Sequence, residues 1–157
     1  MDPSPIDREH LRRTVDLARD ARSRGDHPFG AVLVTSTGVV VEALNSVNTA
    51  HDPTGHAETN LVRLSASLGA EVLASSTLYT STEPCAMCAG AIYWAGIGRL
   101  VYALSGRALV HRVSEASGVL TLDLPSREVF ACGGSSIVVV GPVDVDGAVG
   151  VHDGMWG

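Results

Sequence analysis

Two short segments contain residues whose types and spacing fit a metal-dependent hydrolytic site. They are His56-Ala57-Glu58 and Pro84-Cys85-Ala86-Met87-Cys88. One histidine nitrogen and two cysteine thiolates are ligands that zinc accepts, usually in a tetrahedron. His56, Cys85 and Cys88 would fill three positions, so a water can take the fourth and become activated by the metal.

A carboxylate next to this ligand set would complete a hydrolytic site. Glu58 stands two residues beyond His56, where it can lie beside the metal without binding it. A carboxylate in that position can take a proton from water and pass it to a leaving group.

Two other interpretations of the cysteines stay open. A lone CxxC could be a redox pair, although His56 and Glu58 would then have no explanation. Alternatively, His51 or Cys132 could close a purely structural zinc site with a fourth protein ligand. We otherwise interpret Cys132 as a plain buried or half-buried thiol.

Hydrophobic periodicity and Gly/Pro punctuation predict the elements that carry these residues. Both metal-binding segments fall at the start of a predicted helix. The order predicts an α/β fold, a three-layer α/β/α sandwich around a mixed five-stranded central sheet, in one domain over 1–157. The predicted helices are 6–24, 56–67, 84–95, 107–116 and 126–131, and the predicted strands are 31–36, 39–45, 77–80, 99–104 and 137–140.

Charge and composition restrict the class of substrate. The 157 residues include 11 Lys+Arg and 17 Asp+Glu, for a formal net charge of −6. Polynucleotide binding depends on basic side chains that neutralise phosphates, so a small uncharged substrate is favoured and nucleic acid is not.

The location of the protein is predicted from the same composition. No run of about 18 apolar residues is present, so no membrane span is expected. Residues 1–5 lack the basic and apolar regions of a signal peptide. Three cysteines, two of them in one CxxC, favour a reducing compartment, and a cytoplasmic location is expected.

The two-part motif resembles that of the cytidine-deaminase-like superfamily of zinc nucleobase and nucleoside deaminases, whose signature is H-x-E…P-C-x-x-C. Further runs are similar to the branch that contains guanine deaminases, fungal-type cytosine deaminase and tRNA adenosine deaminase. These runs are Pro28–Ala31, Asn45, His51–Thr54, Leu78–Glu83 and Gly90–Ala95, and the similarity covers about residues 8–105.

The resemblance implies a Zn²⁺ cofactor and hydrolytic deamination, the hydrolysis of a C–N bond in a cyclic amidine with release of ammonia. Glu58 would protonate a ring nitrogen and then the departing ammonia. The backbone N–H groups of Ala57 and Cys85 would hold the water or a substrate carbonyl. Asn45 would hydrogen-bond the base edge, and Phe29 and Trp94 would form the apolar walls on which the base stacks.

The turn Pro28–Ala31 and the run Ala91–Ala95 look most like those of guanine deaminases. The predicted substrate is therefore guanine, a close aminopurine, or its nucleoside. Residues 142–157 would form a lid that carries Asp153 and Trp156. Beyond Leu104 the guanine-deaminase pattern is no longer matched. Cytosine, isocytosine or an aminotriazine is therefore the alternative, and the tRNA wobble adenosine comes third.

Two further predictions concern activity and assembly. The superfamily is commonly oligomeric, and Tyr93, Trp94 and Ile97 place apolar surface at one helix end, which predicts a homodimer. The alternative from a different functional class is a non-catalytic module that binds zinc and a base. Such a module would have no use for a proton carrier, so Glu58 argues against it.

Overall fold

A computed structural model describes residues 1–114 and 118–156 of the chain. Helices and strands alternate along most of its length. The helices are α1 (Pro5–Ser23), α2 (Ala57–Ser65), α3 (Ala70–Ala74), α4 (Ala86–Ala95), α5 (Gly106–Ser114) and α6 (Ser126–Ala131), and 3₁₀ turns cover Ala66–Leu68 and Gly150–His152. The strands are β1 (Gly30–Val34), β2 (Val40–Leu44), β3 (Thr77–Thr82), β4 (Arg99–Leu104) and β5 (Val138–Val140).

The five strands form one mixed sheet in the order β2-β1-β3-β4-β5. Strand β1 is antiparallel to both β2 and β3, whereas β3, β4 and β5 run parallel. The predicted α/β fold with a mixed five-stranded sheet is therefore confirmed. The carboxyl ends of β2, β3 and β4 lie at one sheet edge together with the start of β1, so the chain segments at these strand ends meet there.

Helices cover both faces of the sheet, because side chains alternate along each strand. In β1, Ala31 and Leu33 face a core built with α2, α4 and α6, whereas Val32 faces a second core built with α1. Strand β4 divides in the same way, with Leu100 on the first face and Val101 on the second. These two apolar cores make the three layers of the predicted sandwich.

Helix α1 lies unusually close to the sheet at Gly30. A Cβ at this position would overlap the Thr14 carbonyl oxygen and the Leu17 side chain. Glycine is therefore required here to let helix and strand approach each other. The close contact fixes the start of β1, and Phe29 is the residue that directly precedes this strand.

Several elements differ from the sequence predictions. Helix α4 begins at Ala86, because Cys85 is its N-cap with extended backbone angles, and Pro84 lies outside it. The short helix α3 was not predicted, since five residues are too few to show periodicity. Residues 115 and 116 of the predicted helix 107–116 lie outside the described part. Cys132 is exposed, so the expectation of a buried or half-buried thiol was wrong.

Candidate active site

The three predicted metal ligands come together at the starts of two neighbouring helices. His56 is the N-cap of α2 and Cys85 the N-cap of α4, both in extended backbone conformation. Cys88 lies one turn further along α4 and is fully buried. The His56 Nδ1 atom is 3.6 Å from the Cys85 Sγ atom and 3.5 Å from the Cys88 Sγ atom.

These separations fit a zinc ion. Bonds of about 2.3 Å to sulfur and about 2.0 Å to nitrogen at a tetrahedral angle place sulfur and nitrogen about 3.5 Å apart. All three ligand atoms lie within 4.8 Å of one another. Within residues 1–114 and 118–156 no fourth protein ligand joins the group. His51 and Cys132 are both exposed, which argues against a closed structural site.

The start of α4 favours the anionic form of Cys85, whereas the neighbouring Cys85 and burial raise the pKa of Cys88. Unpaired N–H groups in the first turn of a helix carry partial positive charge and stabilise a thiolate. The hydrogen bond with Cys88 lowers the pKa of Cys85 to about 4, and the His56 contact adds to this effect. The Thr59 hydroxyl lies 3.3 Å from the Cys88 sulfur and can donate to it.

Glu58 lies in the first turn of α2, with only 5 % of its surface exposed. Its Oε1 atom accepts a 2.7 Å hydrogen bond from the Thr80 hydroxyl, which orients the carboxylate from strand β3. Burial raises the pKa of Glu58, while the bond from Thr80 acts in the opposite direction. A buried carboxyl that resists ionisation is suited to receive a proton and release it again.

A cavity of about 580 Å³ opens in front of these groups. His56, Glu58 and Cys85 form its base, at the sheet edge where the strand ends meet. Most of the remaining wall is apolar and comes from α5 and from the segment 119–125. The volume lies within the range of small-molecule sites in proteins.

Glu83 is a cavity residue to which the sequence reasoning assigned no role. It follows β3 directly and is buried. Its carboxylate accepts hydrogen bonds from the Gly106 N–H (2.9 Å), and from the N–H (3.0 Å) and hydroxyl (2.8 Å) of Ser126. One side chain thus holds the starts of α5 and α6 against the segment that carries Cys85. Its position two residues before Cys85 was the signal in the sequence that could have pointed to a role at the site.

Of the predicted substrate contacts, Phe29 and Trp156 line the cavity. Their ring centroids lie 6.1 Å apart. Ala57 is fully buried in the first turn of α2. Asn45 is buried at the end of β2, its backbone N–H donating to the Phe29 carbonyl and its side-chain oxygen accepting from the Val47 N–H.

Neither Ala57 nor Asn45 lines the cavity wall, and two further predicted contacts, Trp94 and Asp153, do not line it either. Trp94 is 86 % exposed on α4 and stacks edge-on against Tyr93. The Asp153 carboxylate lies 3.2 Å from the Arg112 guanidinium, at the surface. The structure therefore does not bring either side chain to the metal ligands.

Two histidines add to the aromatic wall without having been predicted. His27 lines the cavity, and its ring lies 5.4 Å from that of Trp156. The His152 ring lies 5.3 Å from Phe29 and stacks with Trp156 at 6.0 Å. Burial and the nearby guanidinium of Arg112 lower the pKa of His152 to about 4, so its ring is neutral at pH 7.

The helices set one limit on location. None within residues 1–114 and 118–156 is long and apolar enough to cross a bilayer.

Comparison with protein families identifies the family of this domain. Residues 4–104 match the model of the cytidine and deoxycytidylate deaminase zinc-binding region. The matched range includes both metal-binding segments and Glu58, and it ends with strand β4.

Two curated relatives are similar over different lengths. A probable cytosine deaminase of Schizosaccharomyces pombe is 37 % identical over 98 % of this chain and 94 % of its own length. The guanine deaminase of Bacillus subtilis is 46 % identical over 95 residues, which are 59 % of this chain and 61 % of that enzyme. The first similarity thus includes nearly all of residues 105–157, whereas the second is confined to part of each protein.

The fold is also found among solved structures. The guanine deaminase of Nitrosomonas europaea superimposes with a TM-score of 0.72 at 24 % identity, covering 95 % of this chain and 82 % of that one. At this level of identity the likeness describes the fold.

Proposed function

Given that the chain belongs to the zinc-binding cytidine and deoxycytidylate deaminase family, we propose that it deaminates guanine or a closely related aminopurine. The membership makes it a zinc-dependent hydrolytic deaminase. The observation that carries the choice of substrate is the 46 % identity with the Bacillus guanine deaminase over 95 residues. A cavity of about 580 Å³ has room for a bicyclic base.

The charges around the cavity argue for an uncharged base or nucleoside over a nucleotide. Within the described part of the chain, Arg107 is the only lysine or arginine that lines the cavity. Its guanidinium lies 3.6 Å from both Asp123 and Glu128, so carboxylates already neutralise it. A substrate phosphate would find no free cation there, and phosphate recognition depends on such cations.

The mechanism assigns the proton transfers to Glu58. When bound, zinc supplies an activated water by lowering its pKa to about 7. Glu58 would take a proton from the attacking water and give it to a ring nitrogen, while the water oxygen bonds to the carbon that bears the exocyclic amine. Glu58 would then take the remaining hydroxyl proton of this adduct and deliver it to the amine, so that the carbonyl forms as the C–N bond breaks and ammonia leaves. Thr80 keeps the carboxylate in place during both transfers.

Backbone and aromatic groups orient the base in this proposal. The N–H groups of Ala57 and Cys85, at the two helix starts, would donate to the water or to a ring carbonyl. Phe29 and Trp156 would form neighbouring parts of one aromatic wall against which the base packs. The Trp156 indole N–H is buried without a partner among the described residues, so it could donate to a substrate acceptor.

Asn45 would favour a base that carries a carbonyl group. Its side-chain oxygen is already bound by the Val47 N–H, which leaves the amide nitrogen to donate. A donor of this kind suits guanine and cytosine, and adenine offers no carbonyl to accept from it. A site built to hydrogen-bond one polar group of a base can reject a base that lacks this group by a factor of about 10⁴.

A second candidate is cytosine or a related amino-substituted ring. It is favoured by the similarity to the Schizosaccharomyces protein, which continues through the segments that form α5, α6 and residues 142–157. Helix α5, the segment 119–125 and Trp156 all lie in this part of the chain and supply much of the cavity wall, so they influence which ring fits.

Ammonia release by the zinc-loaded protein tests the proposal. The panel consists of guanine, guanosine, cytosine, cytidine, isocytosine, ammeline, adenine, adenosine and a wobble-adenosine stem-loop. We expect the highest kcat/KM for guanine or guanosine. Turnover of cytosine or a triazine alone would replace the substrate and keep the mechanism, and failure with all of them would favour a non-catalytic binding module.

The same assay isolates the role of Glu58. Glu58→Gln keeps the shape of the side chain but cannot carry a proton, so we expect a loss of at least about 10³-fold in kcat with zinc content unchanged. Glu71→Gln, on an exposed position of α3, is the matched control and should keep wild-type activity. An active Glu58→Gln variant would contradict the assigned proton transfers.

A further inference from the structure

The chain after β5 crosses the α1 side of the sheet before it reaches the cavity. The Val143 N–H donates to the carbonyl groups of Tyr102 and Ala103, both at 3.1 Å. Val145 and Ala148 then pack into the core beneath α1. Residues up to about 150 are thereby anchored, and the six residues Val151–Trp156, which we call the tail segment, continue towards the cavity.

One side chain of α1 holds the tail segment at two points. The Arg22 guanidinium donates through Nη1 to the Val151 carbonyl at 2.6 Å and through Nη2 to the Asp153 carbonyl at 2.7 Å. The two carbonyl groups lie on either side of His152. Because the guanidinium is planar and its donors are fixed, this pair of bonds sets both the position and the orientation of His152.

The polar atoms of the tail rings give little anchorage of their own. His152 Nδ1 and Trp156 Nε1 are buried and have no hydrogen-bond partner among the described residues. The nearest contact of His152 Nε2 is the Thr82 hydroxyl, at 3.5 Å. The ring stack is therefore located by packing against His27 and Phe29 and by its backbone, which is the part that Arg22 binds.

We propose that Arg22 is a positioning residue that fixes the tail segment so that Trp156 closes the cavity over the substrate. Arg22 does not line the cavity itself. Its effect on catalysis rests on the proposed function, but its effect on the location of Trp156 does not. Arg112, whose guanidinium binds the Asp153 carboxylate from α5, would assist from the opposite side.

The location of Trp156 can be measured without any substrate. Trp94 and Trp156 are the two tryptophans of the chain, so a Trp94→Phe background leaves Trp156 as the single fluorophore. In this background Arg22→Ala should shift the emission to longer wavelength and increase acrylamide quenching at least about twofold. Circular dichroism and zinc content would show that the variant is folded.

Arg13→Ala is the matched control. Arg13 lies on the same helix and makes a bidentate ion pair with Glu42 on β2, away from the tail segment. It should leave the Trp156 emission and quenching unchanged. Arg22→Lys keeps the charge but lacks the rigid fork, so it should restore only part of the quenching protection.

Kinetics in the otherwise unchanged protein test the consequence for the reaction. For the best substrate of the panel, Arg22→Ala should raise KM about tenfold and change kcat less than threefold, because Glu58 and the metal ligands stay in place. Unchanged Trp156 emission and quenching would overturn the positioning role. A displaced Trp156 with unchanged KM would overturn its influence on substrate binding. Should no base be turned over, the fluorescence alone would decide the positioning role.

Discussion

The ligand side chains His56, Cys85 and Cys88 owe their arrangement to helix caps. An N-cap has extended backbone angles, and the next residue already belongs to the helix. His56 and Cys85 both occupy this position, so their side chains and the unpaired N–H groups of the first turn face the same space. Cys88, one turn later, approaches the same point.

Removal of one cysteine ligand should abolish zinc binding selectively. Cys88→Ser replaces a thiolate by a hydroxyl, a much poorer zinc ligand, and we expect zinc affinity to fall at least about 100-fold, together with activity. Zinc per chain after dialysis, measured by mass spectrometry, checks this expectation. Cys132→Ser, at an exposed cysteine outside the ligand group, should keep full zinc content. Equal loss in both variants would contradict the assigned ligand set.

Helix α1 is attached to the sheet through a buried ion pair. Asp7, which is 1 % exposed, accepts two hydrogen bonds from the Arg99 guanidinium on β4, at 2.7 and 2.9 Å, and one from the Tyr79 hydroxyl at 2.9 Å. Asp7 also accepts from the Ser4 N–H in a capping box. The pair holds in place the helix that carries Arg22.

Loss of this pair should destabilise the protein in a pH-dependent way. The Arg99 hydrogen bonds hold the pKa of Asp7 well below its ordinary value. The stabilisation is therefore complete above the unfolded pKa of about 3.9 and is lost as the pH falls below it. Asp7→Asn should cost about 3 kcal/mol at pH 7, and its difference from wild type should shrink at pH 3.

Urea unfolding at pH 7, 5 and 3 measures the effect of Asp7. Asp16→Asn is a suitable control, since Asp16 forms an exposed ion pair with Arg19 on the same helix. Such a pair contributes at most about 1 kcal/mol. A difference between Asp7→Asn and wild type that stays constant down to pH 3 would show that the Asp7 charge is not responsible.

Among the described residues, one large aromatic side chain is strongly exposed, and this bears on the oligomeric state. Trp94 is 86 % exposed, whereas Ile97, which was expected to share the same surface, is 1 % exposed and belongs to the core. The expected patch is thus smaller than predicted, because the turn after α4 directs Ile97 inward. We still predict a homodimer whose interface includes Trp94.

Sedimentation equilibrium tests the homodimer. The wild-type protein should have twice the chain mass of 16.3 kDa, and Trp94→Glu should shift it towards the monomer, because a charge would be buried at the interface. A wild-type monomer at micromolar concentration would contradict the prediction. The exposed Leu64→Glu variant on α2 serves as the control and should keep the wild-type mass.

The sequence by itself determined the candidate metal ligands, the candidate proton carrier and most of the elements. These depend on residue type and on short spacing: His-x-Glu, CxxC, glycine and proline at element ends, and apolar periodicity. Strand β4 and helix α6 have the predicted bounds. Local chemistry of this kind does not require knowledge of how distant segments meet.

Only the tertiary structure decided the environment of the site. The contact between Glu58 and Thr80 spans 22 residues, that between Glu83 and Ser126 spans 43, and Arg22 meets Asp153 across 131. The strand order and the return of the chain over α1 create these pairs, and no local pattern encodes them. Trp94, six residues beyond Cys88 on the same helix, points outward for the same reason. Residue type thus determined which chemistry is available, and packing determined which side chains can take part in it.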